Sequence, residues 1–291
     1  GDGNNSLVID GQFSGNITAG SGNDTVELGN RYASGTIDLG GGVNTLIAKG
    51  NKNRVAADIR GVQNIAIDGS YSGDILLKEG DGAASITIGG SVGSSYTNGS
   101  SYYQVARHKI SLTDADDTVT LGTAGQNSLV GHTEINLGGG TNLLKINAEN
   151  WQTSYFTLKG NVSEGSEIHF GNAGYAGSND YNAITLDDVK LFNGFTVNFG
   201  AADGTSIGKS GRLVLGKSIT VDGASGGGAG TAVFQGNTKR EDTLDISQYG
   251  GDITLKDILG NLDVKSFEVI TLAGVQEGSG NGSYYDPTTA G

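Results

Sequence analysis

A short pattern, Asp/Asn–x–apolar–x–apolar, recurs at nearly constant spacing along the first ninety residues. It reads Asn5-Ser6-Leu7-Val8-Ile9, Asp24-Thr25-Val26-Glu27-Leu28 and Asn44-Thr45-Leu46-Ile47-Ala48. Degraded copies follow as Gln63-Asn64-Ile65-Ala66-Ile67 and Ala84-Ser85-Ile86-Thr87-Ile88, so that the first positions step by 19, 20, 19 and 21 residues. A second apolar series lies between the copies, at Ile17, Ile37, 55–59 and Ile75. Each unit of about 20 residues therefore holds two short strands separated by Gly/Asn/Ser turns. Side chains alternate along a strand, so Val26 and Leu28 share one face while Thr25 and Glu27 share the other. One such unit cannot bury its apolar face alone. Stacked on like neighbours about 4.8 Å away, it encloses a continuous narrow core and pairs its backbone above and below. The spacing predicts an all-β fold, a parallel β-solenoid (β-helix or β-roll) of about 20 residues per coil.

Composition agrees with that geometry. Glycine supplies 52 of 291 residues, and the single proline is Pro287. Glycine turns corners that need a positive φ, whereas proline inside a ladder deletes a donor. The pattern returns less regularly at 117–121, 142–146, 182–186 and 242–246. A longer echo relates D-T-V-E-L-G (24–29) and I-D-L-G-G-G-V-N-T-L-I (37–47) to D-T-V-T-L-G (117–122) and I-N-L-G-G-G-T-N-L-L-K (135–145). The unequal later steps predict corner insertions near 90–108, 147–180 and 222–238 in a solenoid covering 1–275, with 276–291 as a tail or linker. The repeat begins at once, with no methionine and no capping element ahead of it. This predicts neighbouring solenoid segments in a longer polypeptide, or self-association end to end.

Eighteen Lys and Arg against 31 Asp and Glu leave a net charge of −13. Such a surface repels phosphate backbones and anionic lipid, which argues against nucleic-acid binding and membrane association. No apolar run approaches the 18 or so residues of a spanning helix, so no membrane insertion is expected. Without cysteine there are no disulfides, thiolate metal sites or thiol catalysis. An acidic chain rich in Gly, Ser, Thr and Asn and free of cysteine fits a bacterial secreted or cell-surface protein; the alternative is an acidic cytosolic one.

The stretch Ala19-Gly20-Ser21-Gly22-Asn23-Asp24-Thr25-Val26-Glu27 matches eight of the nine positions of G-G-x-G-x-D-x-U-x. Leu39 through Ile47 fits apart from its first position and Asn44, and Gly3-Asn4-Asn5-Ser6-Leu7 matches part of an opening copy. These segments resemble the hemolysin-type (RTX) calcium-binding repeats of bacterial adhesins and surface-layer proteins. The resemblance implies shared coil geometry and Ca²⁺ held between coils by an Asp and turn carbonyls, here at Asp24. The register otherwise reads Asn5, Asn44, Gln63 and Ala84, a single carboxylate in five positions. Asp114, Asp116 and Asp117 form a second Ca²⁺ candidate, since hard oxygen ligands converging at a corner suit that ion. Two other readings need no metal: Asp side chains accept from local turn amides, and stacked Asn amides bond to one another along the axis.

Catalytic constellations are sparse. His108, His132 and His169 lack metal-ligand spacing, and no G-x-S-x-G sits on a strand-to-helix turn. Tyr102, Tyr103, Arg107 and His108 could line a sugar-binding face or form an inert exposed loop. Trp151, Tyr155 and Phe156 read as a local plug beneath an insertion. The expected function is structural and not enzymatic: a rigid rod supporting self-assembly or attachment, with neighbouring segments or a surface glycan as partners. The rival is a carbohydrate-active β-helix enzyme, such as a polysaccharide lyase or epimerase, whose acids and bases would gather in one groove.

Overall fold

The computed structural model describes residues 1–51, 53–93, 108–123, 128–148, 154–170, 181–199, 210–223, 230–236, 242–246, 262–265, 267 and 269–271. Among these the chain forms 25 strands and no helix, and successive segments alternate between two sheets. One sheet has eleven strands in the spatial order β1 (Ser6–Ile9), β3 (Thr25–Leu28), β5 (Thr45–Ala48), β7 (Asn64–Ile67), β10 (Ser85–Ile88), β13 (Thr118–Leu121), β15 (Leu143–Ala148), β17 (Glu167–Phe170), β19 (Thr196–Asn198), β22 (Ala232–Gln235) and β24 (Leu262–Lys265). The other has fourteen: β2 (Phe13–Thr18), β4 (Tyr32–Asp38), β6 (Arg54–Arg60), β8 (Ser70–Tyr71), β9 (Ile75–Leu76), β11 (Val92–Gly93), β12 (His108–Ser111), β14 (Val130–Asn136), β16 (Tyr155–Asn161), β18 (Tyr181–Leu191), β20 (Ser210–Leu215), β21 (Ile219–Val221), β23 (Thr243–Asp245) and β25 (Val269–Thr271). The strand pairings are parallel in both sheets. A stretch that supplies both sheets in turn is called a pass below.

Register follows the repeat. Ser6 pairs with Thr25, Thr25 with Thr45 and Thr45 with Asn64. Hydrogen bonds between the positions just before these strands span 19, 20 and 19 residues. Later separations grow to 33 and 25 residues. Two copies of the pattern leave the series: Asn182 lies in β18 and Asp242 precedes β23, both in the second sheet. The pattern marks where a strand begins but not which sheet receives it, because both sheets need the same inward alternation. The stretch 147–180 also departs from an insertion, since it contains β16 and β17, and 222–238 contains β22. Residues 94–107, with Tyr102, Tyr103 and Arg107, lie outside the described residues, as do Trp151 and the tail at 276–291.

The inward faces meet in one buried cluster running through all these passes. Val26 and Leu28, Leu46, Ile65 and Ile67, Ile86 and Ile88, Val119 and Leu121 come from the first sheet; Ile37, Val55, Ile59, Ile75, Ile110 and Ile135 face them from the second. Leu39, Val62, Leu77, Leu112 and Leu137 close one corner. Phe156, expected as part of a plug, is core, and Tyr155 beside it is half-buried on the opposite face. The corners explain part of the glycine content. Gly40 and Gly138 take φ of 75° and 69°, and a Cβ there would strike the Gly20 and Thr113 carbonyls of the preceding pass.

Candidate functional site

The repeat's polar position builds a ladder along the first sheet. Asp24 Oδ1 accepts the backbone N–H of Asn5 at 2.8 Å, Asn44 Oδ1 accepts that of Asp24 at 2.7 Å, and Gln63 Oε1 accepts that of Asn44 at 2.7 Å. Asp117 Oδ1 then accepts the N–H of Ala84 at 2.6 Å, and Asn142 Oδ1 that of Asp117 at 3.0 Å. The amide nitrogens face turn carbonyls: Asn44 Nδ2 donates to Leu39 and Gly61, and Asn142 Nδ2 to Leu137 and Asn161. The ladder therefore joins side chain to backbone, not amide to amide as a stack of Asn side chains would. One bond links two ladder side chains directly, from Asn5 Nδ2 to Asp24 Oδ1 at 2.7 Å. A shorter ladder serves the second sheet, where Ser154 Oγ, Asn182 Oδ1 and Asp242 Oδ1 accept from Val130, Ser154 and Gly211.

Aspartate fits this position less well than asparagine. Asp24 and Asp117 are buried, and the second oxygen of each carboxylate has no hydrogen-bond partner among the described residues. Burial drives the Asp117 carboxyl up to about 6, against the downward pull of the Ala84 N–H. Asp114 and Asp116 behave differently. Their Oδ1 atoms accept the N–H groups of Gly139 and Thr141, each at 2.7 Å and each 25 residues on. The acidic turn thus binds the next pass rather than its own amides.

These contacts test the implied calcium. Where Asn44 and Asn142 stand, the turn carbonyls already receive an N–H, so a run of Ca²⁺ sites along the ladder does not fit the residues present. Asp24 and Asp117 each keep one buried oxygen without a donor, which fits a cation or a proton. Among the described residues no three His, Asp or Glu side chains converge as metal ligands.

The outer face of the second sheet carries a row of charges that sequence spacing did not single out. Lys159 Nζ lies 3.3 Å from Glu134 and 3.0 Å from Asp187, and Lys109 reaches Glu134 at 3.9 Å. Burial alone would lower the Lys159 ammonium, but hydrogen bonds and the charges of Asp187 and Glu134 outweigh it and hold it above the usual lysine range. A general base needs the opposite shift. His108 and His132 sit on adjacent strands of this sheet, whereas His169 lies on the other sheet, exposed beside Glu167 at 3.2 Å. Lys109 and Glu134 are register partners, whereas Lys159 pairs with Asn136 and reaches Glu134 diagonally, so the row forms only once the passes lie side by side.

Comparison with protein-family models, curated proteins and solved structures returns no match.

Proposed function

We propose that the passes are coils of a parallel β-solenoid, and that the chain is a structural and adhesive segment of a bacterial secreted or cell-surface protein, a rigid rod supporting self-assembly or attachment. One observation carries the reading: the buried polar side chains are spent on the backbone of the adjacent pass, not on a convergent site. Such a pattern serves stacking. Lys159, held above the usual lysine range by Asp187 and Glu134, gives the lyase or epimerase reading no general base in the charged row. Calcium, implied by the resemblance to RTX repeats, has its best positions at Asp24 and Asp117.

Incubation with neutral and acidic bacterial and algal polysaccharides tests this function. No release of reducing ends or unsaturated uronates is expected, and release would replace the rod with the enzyme. A melt with and without EGTA tests the cation: a chelator-sensitive midpoint that Asp117→Asn abolishes supports it, and an unchanged midpoint removes it.

A further inference from the structure

We infer that a groove on one corner of four consecutive passes, around Lys190, is a binding subsite for a neutral oligosaccharide. This deepens the reading of the chain as an adhesive rod by naming the partner class. The groove has a volume of about 460 Å³ and is lined by Asn161, Glu164, Lys190, Phe192, Asn193 and Asp222, among others. That size falls within the range of ligand pockets.

The backbone at this corner is irregular in a repeated way. Between β16 and β18 the register slips, so that Leu158 faces Leu186 but Gly160 faces Val189. Asp188, just before Val189, has φ of 50°, and Ser218, just before the Ile219 that pairs with Val189, has φ of 46°. Two successive passes therefore hold a left-handed residue that carries a Cβ, and the partner of Val189 in the pass before, Gly160, is itself left-handed with φ of 83°. Left-handed backbone is unfavourable for serine and tolerated by aspartate, and residues with a Cβ held there gather at binding sites. Bulges re-aim the side chains that follow them. Here those are Asn161 and Lys190, which pair in register and both line the groove.

The groups suit sugar hydroxyls. Lys190 Nζ and Asp222 Oδ1 are 2.7 Å apart and largely neutralise one another. The Asn161 amide is oriented by donating to Gly140 at 3.3 Å, and that of Asn193 by accepting the Thr231 N–H at 2.9 Å. Carboxylate and carboxamide groups accept and donate to vicinal hydroxyls, and half-buried Phe192 adds apolar surface for a ring face. Glu164, beside this neutralised pair and in a chain of net charge −13, disfavours uronates, phosphates and nucleotides.

The test is calorimetric titration of the full chain with malto-, cello-, chito- and mannohexaose, with hexagalacturonate as the acidic control. At least one neutral hexamer should saturate. The double variant Lys190→Ala/Asp222→Ala should weaken it tenfold or more, and the isosteric Glu164→Gln measurably, with unchanged circular dichroism. Should the double variant fail to fold, Glu164→Gln and Asn161→Ala decide. No neutral binding, preference for the uronate, or binding indifferent to these substitutions would overturn the subsite. Failure of the rod itself would instead appear in distances between passes, which sugar binding does not report.

Discussion

The N-terminal passes, through residue 93, and those after residue 128 solve the same stacking problem with different materials. In the first region, ladder partners are 19 or 20 residues apart, and the cavity between the sheets is filled by Ile, Leu, Val and Ala, with Tyr71 the one buried aromatic side chain. In the second, passes are longer and phenylalanines join the aliphatic filling: Phe170 stacks between Phe156 and Phe199 at 6.1 and 5.4 Å, and Phe195 meets Phe234 at 6.1 Å. Chain length per pass and side-chain volume rise together, as close packing between the sheets requires. The corners differ too: glycine with positive φ at 40 in the first region persists at 138 and 160 early in the second, then gives way to Asp188 and Ser218 in later passes. Parallel pairing tolerates such a gradual change because each strand bonds only to its neighbours in the sheet.

The sharpest way to break this comparison is to exchange the fillings. Phe195→Ala in the second region should cost about 3–5 kcal/mol by denaturant unfolding, and Ile86→Phe in the first region about 1–3 kcal/mol through overpacking. A harmless Ile86→Phe would mean that the first passes are not closely packed.

Next in size is the ladder carboxyl. The folded Asp117 value of about 6 lies above the ordinary 3.8, so the folded state binds the extra proton. Its stabilising contribution is complete below pH 3.8 and is lost as pH rises through 6, on the order of 2–3 kcal/mol. Asp117→Asn, which restores the donor that Asn142 has, should stabilise the protein at pH 7.5 and flatten this part of the profile, measured in chelator.

The corners come third. Gly138→Ala should cost about 2 kcal/mol, because alanine is disfavoured in left-handed backbone and meets the Thr113 carbonyl. Ser218→Gly should stay within about 1 kcal/mol of the parent. Equal costs would erase the difference between the two kinds of corner. The smallest effect is expected from Lys159→Met, less than about 1 kcal/mol, because its half-buried ion pairs on the sheet surface stay within reach of water and salt; melting at low and high ionic strength checks it.

Much of this architecture was legible in the sequence, and unevenly so. The spacing of Asn5, Asp24, Asn44 and Gln63 gave the strand partners because those passes carry almost no insertions. Position 182 misled, since an Asn before alternating apolar residues serves either sheet equally well. The stretch 147–180 looked like an insertion because its strands, Tyr155–Asn161 and Glu167–Phe170, lack the Asp/Asn marker and place aromatic residues where earlier passes have aliphatic ones. At the sites, the aspartates were visible but their partners were not. Asp116 finds the Thr141 N–H only once two passes are stacked. The Lys109–Glu134–Lys159–Asp187 row likewise forms only once the passes lie side by side.

The central claim is that successive passes lie side by side in one parallel stack. The chain has no cysteine, so pairs of introduced cysteines can be spin-labelled without background. Glu27, Thr120, Thr196 and Asp263 follow one column, on β3, β13, β19 and β24. At about 4.8 Å per strand, label separations from position 27 should grow in proportion, to about 19 Å at 120, 34 Å at 196 and 43 Å at 263. Distances that level off or reverse along this series would contradict the stack.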